Sequence, residues 1–408
     1  MTIAKKEFIV LMAMLMSFTA LTIDAILPAL SYMKIDLNVA SDNQIQFMIT
    51  SVFIGLMIGQ LIFGPLSDKV GRKNGLYVGI AVFVLGSVIS LFSSSFLFVI
   101  LGRFLQGVGA ASTRVISVAI VRDVYSGREM ARIMSFIMAV FIFVPVIAPL
   151  VGEGILIFSK WRMIFTFYLV CSLLVLGWVF WRLHETSGLS DDTNDTAPKM
   201  GLVESFISVL QNKQTLGYAI ASGFIFGGFL GYLNSAQQIF QNFFSVGHLF
   251  SVCFGISAFS IGVASLVNGF SVKRLGIRKT CSYAMLAIML TGLIFMTCFD
   301  LATAEGLFYP YMIYASVTFF FFGFLFGNFN ALAMEPMGKN AGMASSVIGS
   351  LATAIAILCG TVIGQFFDMT LWPLVMGFTV ATAITLIIHL YLVAHEKRTK
   401  TAQVTQKV

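Results

Sequence analysis

Read from the N-terminus, the chain is a succession of apolar runs separated by short clusters of charged and turn-forming residues. A helix crosses the hydrocarbon layer of a bilayer with about 20 consecutive apolar residues, so each run is a candidate span. The pattern predicts helices over 8–30, 44–66, 75–94, 96–120, 134–157 and 163–183, then over 214–235, 250–270, 280–299, 308–330, 342–366 and 372–394. One long polar stretch, 184–212, divides the two sets, with Asp191, Asp192 and Asp195 among Ser, Thr, Asn and Pro198. It reads as a linker in which 201–210 forms a short amphipathic helix on the membrane surface. The expected organisation is therefore a six-helix half over 1–183, a linker over 184–212, a second six-helix half over 213–394 and a tail over 395–408.

The placement of charge adds orientation. Of the 25 Lys and Arg, only Lys34, Lys160 and Arg162 fall on the side opposite the N-terminus, and Arg103 and Arg114 lie inside a span. All the others share one side, which the positive-inside rule makes the cytoplasm, with both termini there. The net charge of +7 is thus loop charge that orients a membrane protein, and nucleic acid is not an expected partner. Lys5 and Lys6 precede the first apolar run as in a signal peptide, yet no small-residue cleavage site follows, so that run reads as a retained span.

Composition agrees. Residues are 58% hydrophobic and only 11% charged, too few polar groups to clothe a soluble protein of this length. Glycines at four-residue spacing, Gly55/Gly59, Gly223/Gly227/Gly231, Gly323/Gly327 and Gly360/Gly364, are helix-packing signals. The five cysteines stand singly, without metal or disulfide spacing. No phosphate-binding glycine loop is present, so no ATP, metal or other cofactor is expected, and catalysis has no residues to support it.

Lys69-Val70-Gly71-Arg72-Lys73, after the second predicted span, is echoed by Arg274-Leu275-Gly276-Ile277-Arg278-Lys279 after the eighth. This weak repeat, about half the chain apart, is the mark of two homologous halves. The loop Gly64-Pro65-Leu66-Ser67-Asp68-Lys69-Val70-Gly71-Arg72-Lys73 closely resembles the signature of the major facilitator superfamily. Gly64 and Gly71 would allow tight turns, and Asp68 would bond Arg72 or face the positive end of a neighbouring helix. In that family such a latch is thought to hold the cytoplasmic side shut in one state. Arg103-Phe104-Leu105-Gln106-Gly107 looks like a second motif, shared by drug/proton antiporters. Pro145, Pro149 and Gly152 resemble the antiporter motif of the fifth span, although Ala148 stands where that motif has Gly and Glu153 replaces its last Gly. Asp24-Ala25-Ile26-Leu27-Pro28-Ala29-Leu30 looks like the acid and Pro-Ala-Leu of the bicyclomycin and chloramphenicol resistance group.

The resemblance implies an all-α membrane fold of twelve helices in two six-helix halves. It implies efflux of small lipophilic drugs from a bacterial cytoplasmic membrane by alternating access, in exchange for protons and driven by their gradient, in a monomer. The rivals are a proton-coupled carrier of one metabolite, such as a siderophore, amino acid or sugar, and a membrane sensor without flux. An ionisable side chain within a span marks a functional position by default. Asp24, Arg103 and Glu153 are accordingly the expected proton-coupling residues, converging on one outward-opening cavity, with Asp24 first. The bland alternative for Glu153 is an interfacial ion pair with Lys160 or Arg162. Gly64, Asp68, Gly71, Arg72, Lys73, Gln106, Gly107, Pro145, Pro149 and Gly152 carry the conformational motifs. An apolar pocket with a few polar groups would hold drug, and Phe226, Tyr232, Asn234, Gln238, Phe324 and Asn328 offer that chemistry.

Overall fold

The computed structural model describes residues 4–187 and 202–405, all of whose regular elements are helical. Among the described residues twelve helical segments are long and apolar enough to cross a membrane. Spans 1 to 6 are Lys5–Asp36, Asp42–Val70, Arg72–Phe92, Phe96–Val124, Arg132–Phe158 and Arg162–Arg182. Spans 7 to 12 are Lys213–Phe243, Phe250–Leu275, Ile277–Cys298, Phe308–Met337, Ala344–Gln365 and Trp372–Glu396. Both six-helix sets lie where the apolar runs predict them.

The ends of spans 1 and 7 differ from that reading. Span 1 continues to Asp36, interrupted on the way: its first helix ends at Asp24, a 3-10 turn covers Leu27–Ala29, and a second helix runs over Leu30–Asp36. Pro28 explains the interruption, because it has no N–H to give the carbonyl four residues back and its ring crowds that carbonyl. Span 7 continues to Phe243 through a π-helical turn, Gln238–Phe243. Hydropathy stops both spans where Lys34, Gln237 and Gln241 begin, although Gln237 and Gln238 are buried.

The chain also does not turn at Gly64. Gly64 and Pro65 lie within the continuous helix Phe47–Val70, and the turn comes only at Gly71, with φ of 94°. Proline's fixed φ is itself helical, and Ser67 Oγ donates to the Gly64 carbonyl at 3.0 Å. In the polar stretch, Leu202–Gln211 is a helix whose Val203, Phe206, Ile207 and Leu210 are exposed. Asp191, Asp192, Asp195 and Pro198 lie outside the described residues.

The fold resolves into two compact units, Met1–Leu202 with Leu233–Phe259, and Val203–Tyr232 with Ser260–Val408. In the first, span 4 packs against spans 2 and 3, and span 1 packs against span 5. Gly55 and Gly59 bring span 2 onto the backbone of span 4 at Phe104 and Val108. In the second, span 9 packs against spans 10 and 12. There Gly223, Gly227 and Gly231 rest on Ile355, Cys359 and Ile363 of span 11, and Gly323 rests on Ala264, whereas Gly327 meets nothing. Lipid gives helices no hydrophobic reason to associate, so close backbone approach at small residues is what holds such layers together.

Candidate functional site

The break in span 1 exposes backbone that the membrane interior would otherwise leave unsatisfied. The last four carbonyls of any helix lack an intrahelical partner, and that of Thr22 finds side chains instead. Arg103 of span 4 donates from Nη2 to the Thr22 carbonyl at 3.0 Å and from Nε to the Met48 carbonyl of span 2 at 3.2 Å. Its Nη1 donates to Gln106 Oε1 at 2.8 Å, and Gln106 Nε2 donates on to Ser87 Oγ of span 3 at 2.8 Å. Tyr168 of span 6 donates its hydroxyl to the same Thr22 carbonyl at 3.2 Å. An Arg at the centre of a span costs about 2.5–3.5 kcal/mol to insert. Here three acceptors in the first unit meet that cost with no carboxylate. Arg103 is fully buried and Asp24 is 4% exposed, but no hydrogen bond or ion pair joins them. Arg103 therefore fixes the backbone that presents Asp24 and does not neutralise its charge. Tyr168 was not legible as part of this arrangement, because nothing in the sequence shows which carbonyls a helix break will free.

At the opposite end of spans 2 and 4 the charged loop closes on itself. Arg72 makes an ion pair with Asp68, as the loop's sequence suggests, and donates from Nη1 to Ser67 Oγ at 2.8 Å. Its Nε donates to Asp123 Oδ2 at 2.8 Å, and that carboxylate, at the end of span 4, is almost wholly buried. The positive end of the span 3 helix is taken by Glu185, which follows span 6. Its carboxylate accepts from the backbone N–H of Arg72 at 2.8 Å and of Lys73 at 3.1 Å. The N–H groups of Thr186 and Ser187 donate to the same group at 3.0 and 2.9 Å. Two orphan donors of a helix N-terminus and two N–H groups of the anion's own loop thus meet one carboxylate. Partial burial pushes the Glu185 carboxyl up, but the N–H groups of Ser187 and Arg72 outweigh it and hold it below the ordinary value of 4.5. Gly71 is needed twice over here, for its positive φ and because a β-carbon would press on Glu185. Lys73 donates from Nζ to the Phe180 carbonyl at 2.9 Å. Asp123 and Glu185 were missed from the sequence, since each reads alone as a charge at a helix end.

Span 5 keeps the packing of its motif and alters its chemistry. Pro145 and Pro149 lie within the helix Gly127–Phe158. Gly152 lies against the Ala25 carbonyl, where any side chain would overlap it, so spans 1 and 5 touch directly beyond Asp24. Gly107 likewise lies against the backbone of Val52. Glu153 lines a cavity with Pro28, Ser31, Tyr32 and Gln241, which Asp24 does not reach. Arg162, one of the basic residues near Glu153 in sequence, pairs with Asp36 at 3.5 Å and donates to the Ser93 carbonyl at 3.1 Å.

The amide and aromatic candidates fall into separate groups. Gln46 Nε2 of span 2 donates to Gln238 Oε1 at 2.7 Å, and Gln238 Nε2 donates to Asn43 Oδ1 at 3.0 Å. Asn234 is buried in the same unit. In the second unit Tyr232 packs edge-on against Phe319, with ring centroids 4.7 Å apart, and Phe226 stacks on Phe229 at 5.9 Å. Phe324 is buried against Phe320, and Asn328 exchanges two hydrogen bonds with Asn268 of span 8, at 2.9 and 3.2 Å.

Twelve helices, a buried acid at a helix break and charged loops at matching places in two sets of six define a multi-pass membrane transporter. The description Major Facilitator Superfamily matches residues 10–353, and the chain belongs to that family. Among curated relatives it is 32% identical to the MFS-type transporter YdgK of Bacillus subtilis, over 87% of each chain. It is 28% identical to a bicyclomycin resistance protein homolog of Haemophilus influenzae, over 96% of this chain and 98% of the relative. It is 27% identical to the multidrug resistance protein MdtL of Escherichia coli, over 91% and 92%. The resemblance to the bicyclomycin group therefore extends over nearly the whole chain. Among solved structures, a partially occluded inward-open form of the xylose transporter XylE from E. coli aligns with a TM-score of 0.67 over 94% of this chain and 95% of that one. At 14% identity the likeness is one of fold alone.

Proposed function

We propose that the chain exports small lipophilic compounds in exchange for protons, from a bacterial cytoplasmic membrane with both termini in the cytoplasm. The observation that carries this reading is Asp24, a buried carboxyl at the point where span 1 breaks. An acid in that place changes charge only when its surroundings open to water, which ties protonation to access. Arg103 and Tyr168 hold the carbonyl just before it, so the break keeps its shape while the acid titrates. A proton arriving from outside displaces cargo outward, and its loss to the cytoplasm resets the site. The clasp around Arg72 is the latch of the cytoplasmic end, and the close contact at Gly152 is the seam along which spans 1 and 5 move together.

The relatives named for bicyclomycin and multidrug resistance support a drug as cargo. Within the second unit Phe226, Tyr232 and Phe324 supply apolar area of the kind that binds lipophilic molecules. Asn328 of that unit adds polarity on giving up Asn268, and in the first unit Asn234 and Gln238 are the polar candidates, Gln238 on giving up Gln46. Resistance profiling of a drug-sensitive bacterial strain carrying the gene tests the reading. Raised inhibitory concentrations for lipophilic antibiotics support it. Unchanged sensitivity together with altered uptake of a single metabolite would replace the drug with that metabolite.

A further inference from the structure

Span 12 carries one histidine in an otherwise apolar run, Leu386-Ile387-Ile388-His389-Leu390-Tyr391-Leu392. An ionisable side chain inside a span marks a functional position by default, and none of the sequence motifs accounts for this one. His389 is wholly buried within the second unit, between Tyr218 of span 7, Ser282 of span 9 and the Phe329 ring of span 10. Its hydrogen bonds fix its tautomer. Nε2 lies 3.1 Å from the Arg278 carbonyl, which can only accept, so Nε2 carries the proton. Nδ1, left with a lone pair, accepts from the Tyr218 hydroxyl at 3.2 Å. Ser282 Oγ lies 3.0 Å from Nε2 and donates to the same Arg278 carbonyl at 3.1 Å. Both ring nitrogens are thus engaged, and the ring is clamped between spans 7 and 9.

Arg278 is therefore held from span 12 twice. His389 takes its carbonyl, and Glu396, two helical turns further along the same span, takes its guanidinium at 2.8 Å. Glu335 of span 10 shares that guanidinium at 3.1 Å. Arg278 lies in the first turn of the helix Ile277–Cys298, directly after the turn at Gly276, so fixing its carbonyl also fixes where its side chain leaves the helix. We propose that His389 is a positioning residue of the transport cycle: it locks the start of span 9 to span 12, so that the clasp of Arg278 with Glu335 and Glu396 opens only as spans 9 and 12 move together. The imidazole acts through Arg278 and does not touch cargo. The inference rests on the chain being a transporter, not on the nature of its cargo or on Asp24.

Hydrogen–deuterium exchange of the purified full-length protein in detergent, read peptide by peptide, tests this, because the opening of a helix end sets the exchange rate of its amides. His389→Leu should speed exchange over 277–283 and 389–396 by about threefold to tenfold, the scale of a lost hydrogen bond, and leave 64–74 as in the wild type. His389→Gln, whose amide both donates and accepts, should stay within about twofold of the wild type. Tyr218→Phe removes the hydroxyl that aims the ring and should loosen the same peptides by a smaller factor, which keeps the test available if His389→Leu does not fold. Glu396→Gln alone should also speed exchange over 277–283, yet add nothing on top of His389→Leu or Tyr218→Phe, since both residues act on Arg278. A histidine that only fills space would give effects that multiply. The proposal is overturned if His389→Leu and Tyr218→Phe exchange as the wild type does over 277–283, if His389→Gln is as loose as His389→Leu, or if the effect of Glu396→Gln is undiminished in the paired variants.

Discussion

Gly71 and Gly276 hold matching places in the two sets of six helices. Each stands before a span helix and each has a positive φ, 94° and 80°. Their surroundings differ. Gly71 is pressed by Glu185, and Arg72 beside it is held between Asp68 and the buried Asp123. Gly276 meets nothing within 4 Å. Arg278 pairs with Glu335 at 3.1 Å and Glu396 at 2.8 Å, both partly exposed, and Lys273 occupies the place that matches Asp68. The backbone turn is repeated in both halves, while buried charge anchors only the first. A glycine required by φ alone and one required by φ and by contact look identical in the sequence.

Substitutions at matched positions turn that contrast into numbers, read as thermal unfolding of the detergent-solubilised protein by intrinsic tryptophan fluorescence. Asp123→Asn should have the largest effect, about 3 kcal/mol, because it takes the buried carboxylate from Arg72 and leaves only the exposed Asp68 to balance the charge. Glu396→Gln, which breaks a partly exposed pair and leaves Arg278 on Glu335, should cost no more than about 1 kcal/mol. Equal losses would mean that the two loops are anchored alike. Next in size, Gly71→Ala and Gly276→Ala both force a side chain into positive-φ, extended-ψ backbone that only glycine adopts readily, at about 1–3 kcal/mol, but only the first also displaces Glu185. A Gly276→Ala protein melting as low as Gly71→Ala would contradict the difference in crowding.

Glu185→Gln should have a smaller effect than the glycine changes, about 1 kcal/mol for an anion at a helix N-terminus, and it carries a pH signature. The carboxyl is held below its ordinary 4.5 in the folded protein. Its contribution is therefore complete above that value and is lost as the pH falls through the lower, folded one. The wild-type advantage over Glu185→Gln should stay level from about pH 7 to pH 5 and shrink on further acidification. An advantage that grew in acid would show the carboxyl to be held in the opposite direction.

The spans and the turn at Gly71 were legible because apolar run length and a glycine beside a basic pair report local requirements. Gly64 permits a turn but does not make one, because proline's φ is helical and the helix runs on through Pro65 to Val70. The polar ends of spans 1 and 7 escaped hydropathy because Gln237 is bonded to Ser31, and Gln238 to Gln46 of span 2, by contacts formed only in three dimensions. Asp24 and Arg103 both stood out as charges inside apolar runs, but their relation did not. The Arg turns to a carbonyl freed by the break at Asp24, and a partnership with backbone leaves no trace in residue identity.

The claim on which the account depends is that Asp24 carries the transported proton. Reconstituted into liposomes, the wild-type protein should accumulate a lipophilic drug when a proton gradient is imposed, and Asp24→Asn should abolish that accumulation while still exchanging drug for drug without a gradient. Gradient-driven accumulation by Asp24→Asn at the wild-type rate would contradict the account.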